Sequence, residues 1–230
     1  MIVLGISAEH NSSACLMENG VVLGLVQEER LTKSKNQCAF PLLAIKELVN
    51  NHLKGDLKKI DAVVYGTLIS DPYYTCLDRY SSYDIEDHIK EMHEMWYPHF
   101  YENKPYDGSY WKKKYLENQK VNPNHNYDLS FLKKDLSVKN AVDHFNNIER
   151  IEVVKRHLPH IKEVHKMEHH KCHAYFALYG GKIEKKQIND ILVLTADAWG
   201  DFSNWSVSIT NDDGTLKKLA EGKDFLVARL

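Results

Sequence analysis

Three histidines and a cysteine fall within five positions in the stretch Glu168-His169-His170-Lys171-Cys172-His173-Ala174. A helix that starts near His169 puts His169 and His173 four residues apart on one face. Two imidazoles so placed can share one metal ion, and imidazole suits zinc, iron, copper or nickel. His170 stands where the zinc-protease pattern has a glutamate, so that pattern is absent. The plainer reading is a histidine-rich helix start on the surface. What flanks the cluster weighs against it.

Two loops elsewhere are suited to related chemistry. Ser7-Ala8-Glu9-His10-Asn11-Ser12-Ser13 is small and hydroxyl-rich, with one histidine. Asp197-Ala198-Trp199-Gly200-Asp201-Phe202-Ser203 carries two carboxylates four apart and one glycine. Each follows an apolar run that reads as a strand. Asp197, at a strand end, is placed to ligate a cation, which carboxylates beside a phosphate require. Taken singly, such clusters are ordinary turns. Their matching positions in two similar stretches favour a shared task.

Composition narrows the partners. With 30 basic against 32 acidic residues in 230, bulk charge predicts neither a nucleic-acid nor an anionic-membrane partner. This length supports one large or two small domains. Cys15, Cys38, Cys76 and Cys172 lack Cys-x-x-Cys spacing and read as reduced thiols in a cytoplasmic protein. No basic leader precedes the apolar start, and no segment approaches the roughly 18 apolar residues of a membrane span. A soluble, intracellular protein is expected.

The elements that position these residues follow from periodicity. A strand over 2–7, buried on both faces, a second over 13–17, an Asn19-Gly20 turn and a third over 21–27 predict a meander. Pro41 sits where a first helical residue belongs, Leu42 to Leu53 trace one helical face, Gly55 stops it, and 61–66 is a fourth strand. From about 70 to 136 the patterning breaks off. That stretch holds ten of the thirteen tyrosines with Trp96 and Trp111, an aromatic content that argues against disorder. It predicts a partly helical surface insertion, either a packing subdomain or a functional element, a lid or an acceptor-recognition surface. Helical spacing resumes over 138–158, 161–167 is a fifth strand, and a helix over 169–179 stops at Gly180-Gly181 in a left-handed turn. A buried strand over 190–197, a second over 204–209, a turn at 211–214 and a third strand over 216–222 then repeat the opening order. The expected class is α/β, with a first half over 1–182 and the start of a second over 183–230.

A duplicated unit that opens on such a meander resembles the actin, sugar-kinase and heat-shock ATPase superfamily, whose paired loops grip nucleotide phosphates. More closely, the chain resembles the amino-terminal part of the carbamoyltransferase family that includes nodulation-factor and antibiotic-tailoring O-carbamoyltransferases. Four segments carry the likeness in order. They are Val3-Leu-Gly-Ile with His10-Asn-Ser-Ser-Ala14, Glu28-Glu29-Arg30-Leu-Thr-Lys33, His169-His170-Lys-Cys-His173-Ala174 and Asp197-Ala-Trp-Gly200-Asp201-Phe-Ser203. The tRNA threonylcarbamoyladenosine synthases are more distantly similar, through the same His-x-x-x-His and duplicated fold.

The resemblance implies ATP-dependent transfer of a carbamoyl group from carbamoyl phosphate, through a carbamoyl-adenylate, to a small-molecule hydroxyl. It implies a divalent metal, iron, held by His169, His173 and Asp197 across the nucleotide phosphates. His10 becomes the general base on the acceptor hydroxyl, which an imidazole with a pKa of about 6.5 can serve at neutral pH. His170 becomes a contact to the acyl-adenylate, and Ser12, Ser13, Arg30, Lys33, Gly200 and Asp201 the nucleotide-binding set. Arg30 is equally open to an ion pair with Glu28 or Glu29, and Cys172 to a thiolate ligand or a buried thiol. Ala198 replaces a glycine usual in the family and narrows its loop. Family proteins are much longer and carry an adenosine-gripping second half, so a longer chain is expected and these 230 residues alone are expected to be inactive. The alternative is a non-catalytic nucleotide- or metal-binding module that needs a partner chain.

Overall fold

The computed structural model describes residues 1–121, 126–180, 191–198 and 200–223. Gly181, Asp190 and Trp199, which the sequence singled out, lie outside them. β1 (Ile2–Ser7), β2 (Ser13–Glu18) and β3 (Val21–Gln27) form an antiparallel meander. Asn19 and Gly20 both take positive φ, 49° and 84°, as a two-residue hairpin turn requires if it is to match the strand twist. The register sets Leu4 opposite Leu16 and Ile6 opposite Ala14, all four buried. The alternate residues of β1 are half-buried, so only one of its faces is fully enclosed.

α1 (Glu28–Thr32) leads to α2 (Leu42–Leu53), which lays Ala44, Ile45, Leu48, Val49 and Leu53 into the core beside β2 and β3. Pro41 precedes α2 rather than opening it. The cap comes from afar: the buried Glu28 carboxylate accepts the Leu43 and Ala44 N–H groups at 3.0 and 2.7 Å. A carboxylate there meets the positive end of the helix dipole and satisfies two orphan donors.

β4 (Ala62–Tyr65) and β5 (Val164–Lys166) complete a five-stranded mixed sheet in the order β3-β2-β1-β4-β5. Between them the aromatic-rich stretch is helical, with α3 (Ile85–Glu91), α4 (Tyr97–Tyr101) and α5 (Ser109–Leu116). α6 (Val138–His144) and α7 (Arg150–His157) follow, joined by one wide turn. Tyr73, Leu77, Met95, Trp111, Phe131 and Phe145 are buried together there, so the insertion has a packed core of its own.

α8 (His169–Tyr179) precedes a second antiparallel meander, β6 (Leu192–Ala196), β7 (Trp205–Thr210) and β8 (Leu216–Gly222), in the order β6-β7-β8. The chain divides into two compact units, 1–63 with 69–164, and 64–68 with 165–230. This differs from a division near 182, because Ala174 and Leu178 of α8 bury against Val193 of β6.

Two expectations need correction. β6 is not buried on both faces: it is an edge strand whose Leu192 and Leu194 are 63% and 67% exposed, α8 covering only the other side. Gly180 ends α8 at φ −78°, a right-handed conformation rather than a left-handed stop. Among the described residues no helix is long and apolar enough to cross a membrane.

Candidate metal centre

The first turn of α8 is fixed by two carboxylates. Glu168, at the N-cap, accepts from His170 and Lys171 N–H at 2.9 Å each. Asp201 accepts from His169 N–H at 2.8 Å through one oxygen and from Leu68 N–H at 2.9 Å through the other. The helix start therefore cannot rotate without breaking charge-assisted bonds. Asp201, expected beside a nucleotide, instead uses both oxygens on backbone.

From this start His169 and His173 project from one face. Their Nε2 atoms lie 3.0 Å apart, and each points at the same oxygen of Asp197, at 2.8 and 3.1 Å. Asp197 follows β6, and its loop is closed by Asp197 N–H to Asn204 O at 2.8 Å and Gly200 N–H to Ser203 O at 3.0 Å. Burial raises the Asp197 pKa, but hydrogen bonds from His169, Ala198 N–H and His173 outweigh it, and the net shift is downward. An ionised carboxylate and two imidazoles thus converge on one point, partly open to solvent.

The 2.8–3.1 Å edges are hydrogen-bond distances that an ion about 2.1 Å from each donor can replace. Two histidines and one carboxylate are a donor set found in both zinc and non-haem iron sites.

His170 does something else. Its ring is fully buried, with Nε2 2.8 Å from the Ser203 carbonyl and Nδ1 2.9 Å from Thr195 Oγ1. A carbonyl only accepts, so Nε2 carries the proton; in the neutral ring Nδ1 then accepts from the Thr195 hydroxyl. Ser206 Oγ extends the chain, 2.7 Å from Thr195 Oγ1. No ring nitrogen remains for a ligand, which corrects the expectation that His170 touches an acyl-adenylate. Gly200 is part of the same lock, since a Cβ there would stand 2.6 Å from the His170 ring. Glu168, Thr195 and Ser206 were missed in the sequence; an available signal was the alternation of Ser206, Ser208 and Thr210 along β7.

His10, Ser12, Ser13, Arg30 and Lys33 lie in the other unit. His10 is exposed, its Nε2 3.1 Å from Asn11 Nδ2. Ser12 is buried and its hydroxyl has no hydrogen-bond partner among the described residues, while Ser13 opens β2. Arg30 is exposed and its Nε reaches Gln27 at 3.4 Å; among the described residues it pairs with neither Glu28, which caps α2, nor Glu29, which holds Asn36 N–H and Lys35. Lys33 caps α1 at φ 62° with its side chain in solvent. Cys172 is a thiol: burial pushes it up to about 11, and its sulfur approaches Gly66 O at 3.7 Å.

No family model matches the chain. A stretch of 68 residues is 40% identical to the uncharacterized protein sll1178 of Synechocystis sp. (strain ATCC 27184 / PCC 6803 / Kazusa). It spans 27% of this chain and only 10% of that protein, whose name states no activity.

Proposed function

We propose that His169, His173 and Asp197 bind a divalent transition metal, iron by the family resemblance. We further propose that the centre serves the phosphates of ATP during transfer of a carbamoyl group to an acceptor hydroxyl. The observation that carries the metal reading is the convergence of two Nε2 atoms and one carboxylate oxygen at 2.8–3.1 Å. Bound there, the ion supplies Lewis-acid charge to phosphate oxygens. The protein's own part is to hold the three donors in place through the Glu168, Asp201 and His170 anchors. Support for carbamoyl transfer comes from the four ordered motifs, and in that reading His10 is the base and Ser12 and Ser13 contact the nucleotide.

Two measurements test it. Anaerobic loading with Fe(II), read by elemental analysis after gel filtration, should give one ion per chain, and His173→Ala should lose it. Uptake unchanged in His173→Ala sinks the metal centre. Separately, the longest natural chain containing this sequence should consume carbamoyl phosphate and ATP with a panel of hydroxyl acceptors. Metal binding without such turnover would leave a binding module and reject the transferase.

A further inference from the structure

Lys171 stands two residues from both His169 and His173, and so about 200° round the helix from each. On that opposite flank of α8 lies a cavity of about 180 Å³, lined by Glu168, Lys171, Ser206, Ser208, Leu216 and Lys218. Its floor is hydroxyl: Ser206 and Ser208, on one face of β7, are 2% and 5% exposed. The Ser206 hydroxyl meets Thr195, but the Ser208 hydroxyl has no hydrogen-bond partner among the described residues. The Ser208 hydroxyl opens to the cavity and is available to a polar ligand there.

The charges say which sign. Lys171 makes no ion pair among the described residues, and its ammonium lies 5.7 Å from the Tyr175 ring centroid. Lys218 sits 2.8 Å from Glu221 and 3.8 Å from Glu168. Both Glu168 oxygens already accept backbone N–H groups of α8, so its charge is turned toward the helix start. The cavity is lined by one lysine without an ion pair among the described residues, a second lysine shared between two carboxylates, and the Ser208 hydroxyl, the Ser206 proton being committed to Thr195. Such a set recognises an anion with several acceptor oxygens.

We propose that this cavity binds a small oxyanion of the phosphate class, through Ser208, Lys171 and Lys218. The site is separate from the metal centre and does not rest on it.

Inorganic phosphate titrated into metal-free protein in EDTA, followed by amide chemical shifts and calorimetry, is the direct test. Shifts should centre on Glu168, Ser206 and Ser208, saturate with phosphate and be absent with chloride. Ser208→Ala and Lys171→Met should each weaken binding at least tenfold, and His173→Ala should leave it unchanged. Lys171 is exposed, so its variant keeps the fold if Ser208→Ala does not. Undiminished binding in the variant that folds, an equal response to chloride, or phosphate binding only when metal is present overturns the proposal.

Discussion

The two meanders share topology and bury opposite chemistry. In the first, Leu4, Ile6, Ala14 and Leu16 face inward, under the apolar stripe of α2. In the second, the inward residues are Val193 with Thr195, Ser206, Ser208 and Thr210, while Leu192 and Leu194 face out. Helix α8 covers that second face with Ala174 and Leu178, but also with the imidazole of His170. An apolar core is non-directional and fixes position by volume. A hydroxyl–imidazole chain fixes orientation, and orientation is what three convergent donors need. One sheet holds a fold together, and the other holds an angle.

If so, deleting a core side chain and deleting a hydroxyl should fail differently. Leu16→Ala removes a fully buried side chain under α2 and should destabilise the first unit by about 2–5 kcal/mol, read as a shift of its urea midpoint. Thr195→Val keeps the shape but strands His170 Nδ1 and Ser206, at about 1–3 kcal/mol. Its distinctive consequence is optical: with Co(II) as a probe of the proposed centre, the ligand-field bands of Thr195→Val should shift while those of Leu16→Ala do not. Identical spectra in the two variants would dissolve the contrast.

How much of this was legible follows from the same physics. Strand positions were readable because alternation has a period of two, and the start of α8 was readable from the four-residue spacing of His169 and His173. The convergence of His169, His173 and Asp197 came with them, since strand end and helix start are enough to bring three donors together. Alternation does not say which face a helix will cover, so outward Leu194 and inward Thr195 could not be assigned. The burial of His170 depends on that choice, which the sequence does not show. The inner order of the insertion was hidden for another reason: Trp111, Tyr73 and Phe145 meet across distant segments and leave no period.

Two carboxylates carry the contrast into pH. Asp197 is held low by its donors, whereas Asp78 in the first unit is pushed from 3.8 to about 6, first by burial and then by Glu91. The folded state therefore binds more protons than the unfolded chain between about pH 4 and 6. Stability from this group is present below pH 4 and lost as pH rises through 6. Asp78→Asn should flatten that fall and raise stability at pH 8 by about 1–2 kcal/mol, measured as urea midpoints across pH. A variant no more stable at pH 8 than the parent removes Asp78 from the argument.

The smallest effect belongs to the outward face of the second meander. Leu194 is 67% exposed at an edge strand, so it contributes little burial to lose. Leu194→Lys should change stability by no more than about 0.5 kcal/mol, because a lysine can lay its methylenes over Val207 opposite and keep its charge in water. The inward neighbour gives the control. Val193 is 6% exposed and packs on α8, so Val193→Lys places an ammonium among Ala174 and Leu178 and should unfold the unit. Adjacent residues one step apart along β6 then differ by several kcal/mol for the same substitution. If Leu194→Lys proves as damaging as Val193→Lys, the outward face is a covered one, and the contrast between the meanders is one of partners rather than of chemistry.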